Sequence, residues 1–158
     1  MDVKSNMADD RLPFFVYGTL LPGQPNAFLW EGAVIDQETA VFPNASLYDM
    51  GSYPMLIEEG GAPVYGLVNH VAEAEYDAVL ARLDWLEDYD PAQPDQPGYR
   101  RVAREVQMEN GRSLRVWVYV GQPAAVRGLK SIPGGDWAAY IAAALRDIEQ
   151  MLGNPLDK

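Results

Sequence analysis

With 158 residues, 48% of them hydrophobic and 22% charged, the chain is long enough to bury a core, and one domain over residues 1–158 is expected. Its net charge of -11 and the lack of any Lys or Arg between Arg11 and Arg82 leave no basic face for a phosphate backbone, which argues against nucleic acid as a partner. There is no cysteine and one histidine, His70, so disulfides, thiolate chemistry and a His-paired metal site drop out, and neither metal nor cofactor is expected.

Residues 1–11 are polar and hold no apolar stretch of the signal-peptide kind. No window approaches the roughly 18 apolar residues of a membrane span, so a membrane is not an expected partner and a cytoplasmic location follows by default. Residues 13–17 form the first expected strand, because Phe14, Phe15, Val16 and Tyr17 favour strands and an unbroken apolar run implies burial on both faces.

That strand stops at Gly18 and enters a loop with Pro22, Gly23 and Pro25. The spacing from Gly18 to Gly23 matches half of a P-loop, but Gln24 and Pro25 stand where Lys and Ser or Thr are required. Thr19 has no base near it in sequence that would activate it as a nucleophile. Two readings remain. The glycine can let a ligand approach the backbone while the amides of Thr19, Leu20 and Leu21 hold a carboxylate or an oxyanion, or the bend is idle and its amides face water.

Short strands are expected near 40–48, 54–57 and 63–71, each bounded by Pro, Gly or Asn, with His70 in a structural or exposed position. A helix follows over 72–88, with Tyr76, Val79, Leu80, Leu83 and Leu86 on one stripe. Strands over 99–108 and 112–120 flank Asn110-Gly111, a two-residue hairpin signal. Their arginines, Arg100, Arg101, Arg104, Arg112 and Arg115, read as surface charges paired with the acidic remainder, or as a set from which one reaches an acidic group in a site. A last helix over 136–152 opens on Asp136 as N-cap and should cover the sheet with Trp137, Tyr140, Ile141, Ala144, Leu145, Ile148 and Leu152. Residues 1–11 and 153–158 are expected to fray. The order of elements implies an α+β fold with a mostly antiparallel or mixed sheet, curled toward a barrel.

Glu87 follows Leu80 by one heptad and Leu83 by four residues, which directs a carboxylate along the apolar stripe. Asp84 falls near the edge of that stripe and Asp88 points away from it. Burial and the carbonyl end of the helix both disfavour negative charge, so the Glu87 pKa should rise toward the range of a general acid/base. Closure of the helix by an ion pair between Glu87 and Arg100 or Arg101, or escape of the carboxylate to solvent, accounts for the same spacing.

Several stretches taken together resemble the γ-glutamylcyclotransferase-like family, which includes γ-glutamylamine cyclotransferase and the plant avirulence-induced-gene relatives. They are VYGTL at 16–20 with Gly23-Gln24-Pro25-Asn26, the run most like the γ-glutamylamine branch, then Tyr53-Pro54, Val64-Tyr65-Gly66-Leu67-Val68, Leu83-Asp84-Trp85-Leu86-Glu87 and Tyr99-Arg100-Arg101-Val102. The resemblance implies a small mixed β-barrel with flanking helices. It makes Glu87 the match of the family's catalytic glutamate, and Tyr17, Gly18, Thr19 and Leu20 the segment whose backbone binds the γ-glutamyl end of a small substrate. Tyr99 matches a tyrosine at the pocket edge.

The reaction so implied closes the substrate's own α-amine on its γ-carbonyl, forming 5-oxoproline and releasing an amine or amino acid. It needs a folded substrate, one proton-shuttling carboxylate and oxyanion-binding amides. Two positions depart from the family pattern: Ala27, where the loop often carries histidine, and Asp88, where glycine often follows the glutamate. The departures leave open a module that binds a small carboxylate without chemistry, and a hydrolase using water is a third reading.

Overall fold

A computed structural model describes residues 11–30, 32–93 and 97–153. The expected fraying at residues 1–10 and 154–158 therefore falls outside the described residues. The order is β1 (Phe14–Val16), β2 (Val34–Asp49), β3 (Pro54–Val71), α1 (Tyr76–Leu86), β4 (Arg100–Met108), β5 (Ser113–Val120) and α2 (Trp137–Leu152). Single 3-10 turns lie at Ala27–Trp30, Glu73–Glu75, Pro123–Val126 and Pro133–Gly135.

The strands close into a barrel in the order β1-β3-β2-β4-β5. All pairs are antiparallel except β1 with β5, where Phe14 stands opposite Trp117 in parallel. The fold is thus α+β with a mixed, closed sheet. β1 explains its unbroken apolar sequence. Phe15 points into the barrel with Phe42, Val64, Val68, Val106 and Val116, while Phe14 and Val16 face outward beneath α1 with Trp30, Tyr76, Val79 and Leu83.

Three expectations about extent are corrected. The two strands near 54–57 and 63–71 are one strand, β3, which pairs with β2 on both sides of the unpaired residues 58–61, where the register shifts near Ala45. Gly60 at φ +107 and Gly61 at φ +68 supply the irregular backbone there, so a polar Gly-Gly stretch that reads as a loop is a bulge. The hairpin between β4 and β5 has a three-residue loop: the Met108 amide donates to Arg112 O (2.9 Å) and the Gly111 amide to Met108 O (2.9 Å), with Gly111 alone in the left-handed region at φ 85.

The last helix departs most from expectation. Asp136 caps it as expected, accepting from the Ala139 amide at 3.1 Å. Trp137 is 2% exposed in the barrel core, with Tyr140 and Ile141 packed against it. Leu145 is 56% exposed and Met151 84%, so α2 leaves the barrel after its first two turns and its remaining apolar stripe covers no sheet. Among the described residues no helix is long and apolar enough to cross a membrane.

Candidate active site

α1 runs over the outer face of β1 with Val79 and Leu83 fully buried, which carries its C-terminus to the barrel mouth. Glu87 is the residue that ends the helix rather than a member of its last turn. The Glu87 amide donates to Leu83 O (3.0 Å), the Asp88 amide to Trp85 O (3.1 Å) and the Tyr89 amide to Asp84 O (2.8 Å). This is a Schellman closure, and it requires a left-handed residue at 88; Asp88 supplies it at φ 56. The turn that glycine makes at no steric cost is therefore made here by aspartate.

The closure puts Glu87 on the wall of a cavity of ≈ 530 Å³. Tyr17, Gly18, Thr19, Leu20 and Tyr99, the other residues singled out in the sequence, line the same cavity. So does Tyr119, which carried no sequence signal, being one aromatic in an ordinary strand.

The loop after β1 contributes backbone. The Leu21 amide donates to Gly18 O at 3.0 Å, which makes Thr19 and Leu20 the central residues of a tight turn. Their amides have no acceptor among the described residues. Asn26 fastens the loop, its amide donating to Thr19 O (2.9 Å) and its side chain to Thr19 Oγ1 (2.9 Å). Trp30 Nε1 donates to Leu20 O (3.0 Å), and Trp137 Nε1 to Gln24 Oε1 (3.2 Å).

Gly18 has a different reason from the one its sequence suggests. A Cβ there would lie 2.6 Å from Pro54 Cγ and 2.8 Å from Pro54 Cδ, so the start of β3 by itself requires glycine at this position. Ala27 does not line the Glu87 cavity; it faces a separate surface recess beside Val34 and Ile35.

Of the tyrosines that line the cavity, Tyr17, Tyr99 and Tyr119 commit their phenol protons elsewhere. Tyr17 Oη donates to Tyr119 O (2.7 Å) and Tyr99 Oη to Pro54 O (2.7 Å), while Tyr119 Oη donates to Asp84 Oδ1 (2.6 Å). Glu87 is half-buried, and its carboxyl has no hydrogen bond or ion pair among the described residues. Burial pushes its pKa up to about 7. Burial above all, with the nearby Glu87 charge adding to it, also raises the Tyr17 pKa, so its phenol stays protonated.

An ion pair between Glu87 and Arg101 is replaced by one between Asp84 and Arg101. Arg101 Nε lies 2.8 Å from Asp84 Oδ1 and Nη2 3.2 Å from Oδ2. Asp84, placed at the stripe edge by periodicity, is 8% exposed. Arg104 and Arg112 meet the plainer expectation for this cluster, pairing at the surface with Glu58 (2.6 Å) and Glu38 (2.7 Å).

The described residues that present metal-ligand atoms together are Asp36, Glu38 and His70, all within 4.8 Å of one another and none on the Glu87 cavity. Glu38 already has partners there. Its hydrogen bond with His70 (2.8 Å), with Arg112 beside it, holds its carboxyl below the usual range.

Closed barrel, flanking helix, a carboxyl group of raised pKa and a turn with open amides in one cavity together define a small mixed-barrel protein with a pocket at the end of α1. The chain belongs to the family described as Gamma-glutamyl cyclotransferase, AIG2-like, whose sequence pattern matches residues 14–139. A Vibrio cholerae serotype O1 protein named "Putative gamma-glutamylcyclotransferase" is 35% identical over 127 residues, 80% of this chain and 96% of that protein. The crystal structure of an AIG2-like protein from Mus musculus superimposes with a TM-score of 0.53 at 29% identity, covering 69% of this chain and 76% of the mouse chain. YkqA from Bacillus subtilis superimposes with a TM-score of 0.63 at 22% identity over 85% of this chain and 42% of its own, a likeness of fold. Family membership places the chain among cyclotransferase enzymes acting on small molecules.

Proposed function

We propose that the protein, acting as one domain, converts γ-glutamyl amines or peptides to 5-oxoproline and a free amine or amino acid, with Glu87 as general acid/base. The observation that carries this reading is the shared cavity: Glu87 and the Thr19–Leu20 turn, whose amides have no acceptor among the described residues, line one space of ≈ 530 Å³. That volume lies in the range of small-molecule pockets, about 300–1,000 Å³. In the reaction the substrate's α-nitrogen attacks its γ-carbonyl carbon, a C–N bond forms, and the bond to the leaving nitrogen breaks. Glu87 takes the proton of the attacking ammonium and returns it to the leaving amine.

A carboxyl with a pKa of about 7 suits both steps near neutrality, being neither too weak a base nor too weak an acid. The turn amides would hold the substrate's α-carboxylate or the oxyanion, because no Lys or Arg lines the cavity among the described residues. Holding amine and carbonyl together supplies much of the rate, since intramolecular attack gains about 7–11 kcal/mol in well-oriented cases.

The test is release of 5-oxoproline from a panel of γ-glutamylamines and γ-glutamyl dipeptides. The expected result is turnover with kcat/KM rising through about pH 7, as Glu87 loses its proton. Glu87→Gln is expected to keep its circular dichroism spectrum and lose turnover at least about 100-fold, the scale of acid–base catalysis. No product from any member of the panel overturns the reading, as does comparable activity in Glu87→Gln.

A further inference from the structure

The buried unit Arg101–Asp84–Tyr119 joins three elements directly behind the cavity. Asp84 lies on α1, Arg101 on β4 and Tyr119 on β5. Asp84 stands three residues before Glu87, so the two are neighbours on one helix face. Its carboxylate accepts both guanidinium bonds of Arg101 and the Tyr119 phenol, while its backbone carbonyl accepts the Tyr89 amide that closes the turn carrying Glu87.

Arg101 is itself enclosed. Its guanidinium carbon lies 4.5 Å from the Trp117 ring centroid and 5.5 Å from that of Tyr89, and its side chain is 10% exposed. Two charges withdrawn from water in this way do little for stability compared with apolar residues of the same volume. α1 already docks through Val79 and Leu83, which need no help from an ion pair. What the bidentate pair adds is direction, because a guanidinium fork fixes a carboxylate in angle as well as distance.

We propose that Asp84, held by Arg101 and Tyr119, is a positioning residue that fixes the C-terminal turn of α1 and sets the Glu87 carboxyl against the cavity. The inference rests on the reading of Glu87 as the acid/base. It has a second arm in the proton bookkeeping around Glu87. The groups that face this carboxyl are the phenols of Tyr17, Tyr99 and Tyr119, with Asp88 next along the chain. Tyr17 and Tyr99 donate to backbone carbonyls, and Asp84 claims the proton of Tyr119. Asp84 thereby holds the phenol proton of Tyr119, which lines the same cavity as Glu87, out of use as a donor there.

The decisive variant replaces the pair by apolar residues, Asp84→Leu with Arg101→Met. If the pair served stability alone, this double variant would match the wild type in turnover. The expected result is an unchanged or higher Tm with kcat down at least about 10-fold and KM within about threefold, by the logic that a lost positioning contact acts on the transition state. Arg101→Lys, which keeps the charge and loses the fork, and Tyr119→Phe are the second arm should the double variant fail to fold. Both are expected to lower kcat without raising KM in proportion. A folded variant with wild-type kcat overturns the proposal, and so does a loss confined to KM.

A third measurement separates this inference from the function it rests on. The Glu87 carboxyl can be titrated by carbon-13 NMR without substrate. In the double variant its midpoint is expected to move by more than half a pH unit from the wild-type value. If the wild type released no 5-oxoproline the proposed function would fall, and an unmoved Glu87 midpoint would then overturn the positioning role by itself.

Discussion

Replacing Glu87 by glutamine should make the protein more stable at alkaline pH, and by an amount that depends on pH in one direction. The carboxyl titrates at about 7 in the fold and at 4.5 as an unperturbed glutamate. Between these values the folded chain holds a proton that the unfolded chain has lost, so stability declines as pH rises through this window and levels off above it. At about 1.4 kcal/mol per pH unit, the charged Glu87 costs the fold about 3 kcal/mol at pH 8 and almost nothing near pH 4.5. Glutamine has the shape of the protonated acid and cannot ionise. The stability difference between Glu87→Gln and wild type should therefore grow from near zero at pH 4.5 to about 3 kcal/mol at pH 8. Urea denaturation of both proteins at half-unit pH intervals measures it, since every other titrating group is common to the two and cancels. A difference that stays flat across the window would refute the argument, because it would mean that Glu87 is solvated or paired when charged. A gain in stability accompanied by loss of turnover is the signature expected of a strained catalytic group.

Gly18→Ala places a methyl carbon 2.6 Å from Pro54 Cγ, and the displacement of β3 should cost about 1–3 kcal/mol in thermal or urea unfolding. Because Tyr99 hangs on Pro54 O, the same variant should lose activity. Asp88→Gly relieves a non-glycine residue at φ 56 and is expected to leave the pH midpoint of activity near 7, since burial lifts the Glu87 pKa. Trp137→Ala should cost about 3–5 kcal/mol as a core truncation, whereas Met151→Ala, on the part of α2 that has left the barrel, should stay within about 0.5 kcal/mol of wild type.

Glu87 was found by counting along a helix, since a carboxylate one heptad after Leu80 contradicts the face it occupies. Its neighbour Asp84 shows the limit of that count. An angle on a helical wheel says which way a side chain leaves its own helix, and nothing about an arginine 17 residues later that comes to meet it. The order of the two carboxylates is consequently reversed: the one at the stripe edge is buried and paired with Arg101, and the one on the stripe faces a cavity without a partner among the described residues. Tyr119 was illegible for the same reason, because its role comes from the strand across the barrel rather than from its neighbours in sequence. In the arginine cluster, read as surface charge or as one site contact, Arg104 and Arg112 pair at the surface, while Arg101 pairs inside with Asp84, which does not itself line the cavity.

By itself the sequence determined what is local: the buried strand at Phe14–Val16, the break at Gly18, the Asp136 cap, the amphipathic spacing of α1 and the exclusion of thiolate chemistry. These follow from periodicity, capping and composition, which act over a few residues. Tertiary structure alone decided why Gly18 is glycine, that Gly60-Gly61 bends a strand rather than ending it, and that α2 departs from the barrel. It also decided that the Glu87 carboxyl has no donor among the described residues while Tyr17, Tyr99 and Tyr119 line the same cavity. Each of these depends on which distant atoms are brought within a few ångströms, and closure of the barrel sets those distances.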